Sequence, residues 1–211
     1  MTYLELFVTV LAALFSVVNP PGAIPPFLAM TPDYTKQERN ETARNTSLWF
    51  VLLMLAFFLG GSYILSFFGI TINAVRIAGG LIILSSGYAL LEGKFGESRA
   101  IDKKVKEEAK TKEDISFAPM AMPMLSGPGS ISLLIGMYSE NPEWSAKGII
   151  VIAILILGVM IYGILRTAPM LFRVMGVAGL KALSRIMGFL VMAIGIQFIV
   201  QGVASLVSEL P

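Results

Sequence analysis

Long apolar stretches, separated by short polar or proline-rich turns, dominate the chain. A helix that crosses a bilayer needs about 20 apolar residues, and six stretches of roughly that length occur in the 211 residues. The predicted spans cover residues 4–30, 47–68, 72–91, 115–138, 144–165 and 183–207. This pattern predicts an all-α membrane protein with six transmembrane helices.

Short polar segments between these stretches provide the ends of the helices. Residues 31–33 end the first span with Thr-Pro-Asp. Thr35 followed by Glu38 has the spacing of a capping box, which predicts a helix that begins in polar residues and enters the membrane as the second span. Residues 141–143 predict a turn, and residues 166–181 predict a polar re-entry before the last span.

Two of the spans contain a segment that cannot form a regular helix. The first has four prolines and one glycine between Asn19 and Pro26, and the second begins at Pro123 and contains Gly127, Pro128 and Gly129. A proline lacks the N–H and clashes with the carbonyl one turn back. In hydrocarbon such a break survives only inside protein or beside a water-filled cavity. One break alone would fit an ordinary proline kink equally well, whereas matched breaks in two halves favour the central site of a transporter.

The two halves of the chain repeat in sequence. Matching segments at a separation of 107 are 21–24 with 128–131 and 68–70 with 175–177, and at 109 they are 76–81 with 185–190. Each half has three spans, an odd number, so a duplication predicts two inverted three-helix repeats with broken helices one and four. The predicted units are residues 1–93 and 115–211, joined by a charged linker at 94–114.

Composition narrows the chemistry that the protein can perform. The chain is 55% hydrophobic and only 14% charged, and it has no cysteine and no histidine. These absences exclude disulfides, the usual zinc sites and Ser–His or Cys–His dyads. We therefore expect no enzyme, no cofactor and no bound metal. No Lys or Arg precedes the first apolar run, as a signal peptide would require, so we expect that run to be retained as a span.

The distribution of positive charge predicts the orientation. Fourteen of the 16 Lys and Arg residues follow spans one, three or five, and the exceptions are Arg76 and Lys147. The positive-inside rule then places these connections in the cytoplasm and both termini outside. In the linker at 94–114 acids and bases are interleaved, which favours a solvated surface helix over a lipid-binding patch. We expect the lipid bilayer, and no nucleic acid, among the partners.

The hypothesis for the site is that the two breaks meet at mid-membrane and bind a zwitterion. A helix restarting after Gly22 or Gly129 would offer N–H groups to a carboxylate, and carbonyls freed by the prolines would suit an ammonium. The glycines leave little room beyond a methyl or hydroxymethyl group. The alternative is that the polar side chains only cap the broken ends. The predicted binding residues are Asn19, Pro20, Pro21, Gly22, Ser126, Gly127, Pro128, Gly129 and Ser130.

Other polar residues give weaker signals. No ionisable residue lies at the predicted midplane, so facilitated export needs fewer assumptions than ion coupling. Arg76 and Arg185 occupy equivalent positions, where snorkelling or capping is favoured over substrate contact. Three polar side chains could reach a pathway but are expected to form hydrogen bonds between helices instead: Tyr88, Gln197 and Gln201. The small residues of span three suit close packing, either within the chain or in a homo-oligomer.

Four motifs together resemble the MarC family, also called the SnatA family of small neutral amino acid transporters, which is grouped with the LysE-like exporters. The motifs lie at residues 19–27, 76–80, 122–129 and 184–188. The resemblance implies an inner-membrane carrier that exports or exchanges glycine, alanine, serine or threonine. The alternative is export of another small solute, a drug or a metal ion. A metal site would need convergent acidic or histidine ligands, which the two breaks lack. A drug pocket would need a large aromatic-lined cavity, whereas the predicted breaks are narrow and rich in glycine.

Overall fold

A computed structural model describes residues 2–92 and 114–208. Helices and turns make up these two stretches, and neither contains a strand. The helices are α1 (Tyr3–Val18), α2 (Ile24–Met30), α3 (Lys36–Phe67), α4 (Ile72–Glu92), α5 (Pro128–Glu140), α6 (Trp144–Arg166) and α7 (Ala168–Ser208). A turn at Pro20–Ala23 joins α1 to α2, and an irregular segment at Ser116–Leu125 precedes α5. Except for Asp114, the predicted linker at 94–114 lies outside the described residues.

The predicted membrane fold is confirmed. Five helical spans, one of them formed by α1 and α2 across the first break, are long and apolar enough to cross a bilayer. The irregular segment and α5 form a sixth, bent by 65° at the second break. Broken helices one and four of an all-α membrane protein are therefore present where the proline and glycine pattern predicts them.

Helix ends also follow the sequence signals. Thr35 caps α3: its hydroxyl accepts from the Glu38 N–H at 3.3 Å, and the Glu38 carboxylate accepts from the Thr35 N–H at 2.7 Å. The helix runs for 32 residues from this box, so its polar first turns precede the apolar part. The turn predicted at 141–143 lies between the end of α5 and the start of α6.

The stretch predicted to be a polar re-entry, residues 166–181, is helical from Ala168 up to a kink at Gly176 and again after it. Ala168 and Leu180 are buried, whereas Arg173 and Lys181 are exposed, as are the apolar side chains of Met170 and Val174. The whole of α7 has 41 residues, but it consists of two helical pieces that meet at a kink. Gly176, with φ 60° and ψ −176°, breaks the helix eight residues after its start.

Two features agree with an inverted repeat. Gly69 and Gly176, which the sequence pairs at a separation of 107, both have positive φ, 65° and 60°. The third helices of the two halves, α4 and α7, run antiparallel: Gly80 lies opposite Gly195, and Gly87 lies opposite Gly188. Opposite directions for equivalent helices are what insertion of two odd-numbered units requires.

Small residues bring these helices into backbone contact. A Cβ placed on Gly80 would lie 2.8 Å from the carbonyl oxygen of Gly195, and one on Gly195 would lie 2.8 Å from that of Gly80. Membrane helices associate through such small residues because lipid provides no hydrophobic force between them. A second glycine contact joins α3 to α6, where Gly158 lies against Val51.

We expect Gly176→Ala to destabilise the protein by about 1–3 kcal/mol, because its φ and ψ lie in a region that is essentially restricted to glycine. Thermal unfolding of the detergent-solubilised protein would measure the loss. The control is Gly163→Ala, since a Cβ on Gly163 meets nothing within 4 Å and alanine favours a helix over glycine. Equal unfolding temperatures for the two variants would contradict this account.

Candidate functional site

The first break begins at Asn19, which ends α1 in the left-handed conformation with φ 49° and ψ 63°. Asparagine is one of the few residues other than glycine that adopt this conformation readily. Pro20 then starts a tight turn in the position where a helix needs no N–H. Asn19, Pro20, Pro21 and Gly22 are all buried, so the first half of the predicted site lies inside the protein.

The first break offers fewer donors than predicted. The N–H of Gly22 donates to the Asn19 carbonyl at 3.0 Å, and the N–H of Ile24 donates to the carbonyl of Pro21. Pro25 and Pro26, in the first turn of α2, have no N–H. The prediction that a helix restarting after Gly22 exposes its donors is therefore wrong, because the turn uses that N–H itself.

The Asn19 side chain is the unsatisfied group of the first break. The residue is 0% exposed, and neither Oδ1 nor Nδ2 has a hydrogen-bond partner. Leaving a buried polar group unpaired costs about 1–3 kcal/mol, and such groups in a folded protein call for an explanation. An amide that can both accept and donate is suited to a polar ligand at this point.

The second break is longer than predicted and starts earlier. Wide turns hold the segment Ser116–Leu125 together: the N–H of Met120 donates to the carbonyl of Ile115 at 3.3 Å, and that of Ser126 to Ala121 at 2.8 Å. Both bonds span five residues. Pro119 and Pro123 lie inside this segment, and each removes a bond that an α-helix would need.

The start of α5 supplies the donors that the first break lacks. Gly127 precedes the helix in an extended conformation and gives it no side-chain cap. Pro128 has no N–H and is exposed, so the first N–H groups of the helix belong to Gly129 and Ser130. The first turn of a helix has no internal acceptors for such groups and carries partial positive charge. This end is therefore the part of the predicted site that best suits an anion.

The two serines of the second break differ. Ser126 is 1% exposed, and its hydroxyl has no partner. Ser130 is equally buried, but its hydroxyl donates to the Gly127 carbonyl at 2.9 Å, which is the local capping expected as the alternative to ligand binding. Ser126 lies 107 residues after Asn19, the separation of the repeat. The unsatisfied side chains therefore occupy equivalent positions in the two breaks.

The structure brings the two breaks together. The turn at Pro20–Ala23 contacts the segment Ser116–Leu125. A Cβ on Gly129 would lie 3.7 Å from Cγ1 of Val17, two residues before Asn19, and 3.1 Å from Cγ1 of Ile83 on α4. Of the nine predicted residues only Pro128 lies at the surface.

The loops at one end of the molecule are also in contact. Burial first, and then the charges of Asp114 and Glu38, raise the pKa of Tyr34, which follows α2. Asp114 precedes the irregular segment, and its carboxylate accepts from the N–H of Ser116 at 2.8 Å. The end of the first broken span therefore lies beside the beginning of the second.

Two further unsatisfied hydroxyls were not predicted. Thr46 on α3 and Ser116 are each 0% exposed and have no partner for their side-chain oxygen. One turn beyond Thr46, the ring of Trp49 packs edge-on against Phe117, with centroids 5.2 Å apart. These hydroxyls thus belong to the elements around the second break. A serine or threonine in an apolar helix ordinarily bonds a carbonyl one turn back, so the sequence held no signal for them.

The equivalent arginines have different surroundings. Arg76 forms an ion pair with Glu140, with Nη2 3.1 Å from Oε1, and its Nη1 donates to Asn73 Oδ1 at 3.3 Å. Its side chain is 15% exposed, whereas Arg185 is exposed. Snorkelling or capping was expected for both arginines. The exposed Arg185 fits snorkelling, whereas Arg76 is held in an ion pair within the protein. The sequence gives no sign of this ion pair, because Glu140 directly precedes a predicted turn.

Comparison with known proteins identifies the family. The profile of the MarC family integral membrane proteins matches residues 4–207. The membrane protein YhcE of Escherichia coli is 38% identical over 191 residues, covering 90% of this chain and 88% of its own length. A membrane protein of Methanocaldococcus jannaschii is 35% identical over 201 residues, covering 95% and 97%.

A third relative carries the family name and a location. The inner membrane protein MarC of Salmonella typhimurium is 32% identical over 206 residues, covering 93% of each chain. No solved structure matches the chain. The match to the family profile extends over all six spans, including both breaks and the paired helices α4 and α7. The chain therefore belongs to the MarC family of integral membrane proteins.

Proposed function

We propose that the protein is an inner-membrane transporter that exports or exchanges small neutral amino acids such as glycine, alanine, serine and threonine. The observation that carries the proposal is the pair Asn19 and Ser126, fully buried at equivalent positions in two adjoining breaks, with their side chains unsatisfied. Polar groups of a small ligand would satisfy both. Unwound segments placed in both halves are the usual setting for such a site in transporters.

The chemistry of the breaks suits a zwitterion. The carboxylate of the substrate would lie at the uncapped start of α5, where the N–H groups of Gly129 and Ser130 and the dipole favour negative charge. The Ser126 hydroxyl would add a hydrogen bond. The ammonium would donate to Oδ1 of Asn19 and to backbone carbonyls of the irregular segment. A site built largely from backbone needs no membrane-embedded charge of its own.

Space around Gly129 limits the substrate. Its neighbours Val17 and Ile83 would lie within 3.1–3.7 Å of a Cβ on this glycine, so the wall beside the helix start is tight. Substrates with a hydrogen, methyl or hydroxymethyl side chain would fit there better than larger ones. Alternating access would follow from movement of the two halves about the breaks, with the Lys- and Arg-rich connections on the cytoplasmic side and both termini outside.

We expect Gly129→Val to abolish alanine counterflow in proteoliposomes, because the added methyl groups fill the space at the start of α5. The matched control is Gly136→Val on the same helix. A Cβ there is equally crowded, 3.1 Å from Cε1 of Phe198, but it lies away from the breaks. The site is supported if both variants lose similar stability but only Gly136→Val still transports alanine.

The competitors in the same assay test the substrate class. Unlabelled glycine, serine and threonine should block alanine counterflow, whereas lysine and chloramphenicol should not. A well-folded protein that gives no saturable alanine signal would refute the amino acid assignment. Metal ions and drugs would then be the substrates to screen.

A further inference from the structure

A charged pair joins the two halves at the end of the molecule opposite the Lys- and Arg-rich connections. Arg76 lies in the second turn of α4, and Glu140 is the last residue of α5. Their side chains are only 15% and 34% exposed, with Nη2 3.1 Å from Oε1. Water and salt screen such a pair less than one on an open surface. The positive-inside rule places this end outside the cytoplasm.

A cavity of about 350 Å³ opens beside this pair. Its lining residues are Arg76, Glu140, Gln201, Ala204 and Ser205. The volume is near the lower end of the range for ligand pockets, roughly 300–1,000 Å³. The lining combines one cation, one anion, an amide and a hydroxyl around a small residue. It is thus polar and offers both signs of charge within one small space.

One nitrogen of the Arg76 guanidinium has no hydrogen-bond partner. Nη1 is bonded to Asn73 and Nη2 to Glu140, but Nε is buried without a partner. An arginine binds a carboxylate best through two parallel N–H groups, and Nε–H with an Nη–H is one such edge. A carboxylate entering the cavity could therefore bond Nε and share or replace the bond that Glu140 makes.

We propose that this cavity is a second binding site, at the outer mouth of the pathway, for the same small zwitterions. The substrate carboxylate binds Arg76, and its ammonium binds Glu140, so that one ion pair within the protein is exchanged for two with the ligand. Gln201 and Ser205 supply further hydrogen bonds. The ligand class rests on the proposed function. The equivalent Arg185 is exposed and takes no part in this cavity.

Trp144 provides a local reporter. The chain has two tryptophans, and Trp49→Phe leaves only Trp144, four residues after Glu140. Its ring centroid lies 5.1 Å from Nζ of Lys147. In nanodiscs we expect alanine to change Trp144 fluorescence saturably. Propionate and ethylamine, which each lack one of the two charges, should bind at least about tenfold more weakly, since each loses a charge-assisted hydrogen bond.

Further variants of the Trp49→Phe protein test whether the fluorescence change of Trp144 comes from binding in this cavity. Arg76→Gln should remove it, and Arg185→Gln, its counterpart in the other half, should not. Ala204→Leu keeps both charges but fills the cavity, so it should also remove the signal and decides the result if Arg76→Gln fails to fold. Ser126→Ala should leave it unchanged, because that hydroxyl belongs to the central breaks.

The outcomes separate this site from the proposed function. Alanine counterflow without a saturable Trp144 response, or a response that survives Arg76→Gln and Ala204→Leu, would overturn the outer site and leave the transport proposal standing. A response that depends on Arg76, in a protein that shows no alanine counterflow, would keep the outer site and refute the transport proposal.

Discussion

Ser126→Ala is expected to weaken alanine transport by roughly 10- to 100-fold while leaving thermal stability unchanged or slightly increased. The hydroxyl of Ser126 has no partner within the protein, so its removal breaks no bond and relieves a buried polar group. A hydrogen bond to a charged ligand contributes about 1.5–3 kcal/mol, which corresponds to the expected loss of affinity. Counterflow kinetics and unfolding in the same detergent would measure both quantities.

Ser130→Ala is the matched control for this prediction. It removes the same hydroxyl from a residue of equal burial four positions along the chain. That hydroxyl donates to the Gly127 carbonyl at 2.9 Å, so its loss should lower stability by about 0.5–1.5 kcal/mol. The backbone N–H at the start of α5 remains, and transport affinity should change little.

The opposite pattern would reject the site. If Ser126→Ala destabilised the protein and transported alanine normally, the hydroxyl would have a structural bond and the buried pair would not mark a ligand. A protein whose binding groups are left unsatisfied in the empty state gives up stability for function. The two serines therefore distinguish a binding site from a pair of capped helix ends.

The positions of the breaks could be predicted because proline and glycine act locally. Four prolines after Asn19 exclude a regular helix whatever surrounds them. The capping box at Thr35 and the turn at 141–143 are local signals of the same kind. The repeat pairs Gly69 with Gly176 at a separation of 107 residues, and both have positive φ.

Local signals could not predict which buried polar side chains find a hydrogen-bond partner. Thr46 and Ser47 are neighbours on α3, yet the hydroxyl of Ser47 donates to the Ala43 carbonyl at 2.9 Å while that of Thr46 has no partner. Which rotamer each side chain adopts depends on packing from other helices. The same reason separates Arg76, half-buried and paired with Glu140, from the exposed Arg185, which is its equivalent in the repeat.

The second break also begins earlier in the chain than the sequence motif predicted. The prediction began the break at Pro123, but Pro119 lies one turn earlier and extends the irregular segment back to Ser116. Two prolines four residues apart remove successive helical bonds. The first break has adjacent prolines instead, and these fit the opening positions of short helices, so α1 and α2 form a single span.

The second large effect is expected at the contact between α4 and α7. Gly195→Leu should prevent stable folding, because a Cβ at this position would lie 2.7 Å from the backbone nitrogen of Leu84 and 2.8 Å from the carbonyl of Gly80. Backbone atoms cannot move aside as a flexible side chain can. Gly195→Ala should already cost about 1–3 kcal/mol through overpacking. The yield of monodisperse protein and its unfolding temperature would measure both variants.

Gly163→Leu is the control, since nothing lies within 4 Å of a Cβ on Gly163, and equal behaviour of the two leucine variants would contradict close packing. The interface also bears on transport, because Ile83 of α4 packs against Gly129 at the second break. Gly195→Ala should therefore lower stability and transport together, whereas Ser126→Ala lowers transport alone. The two results therefore distinguish residues that hold the breaks in place from residues that bind the substrate.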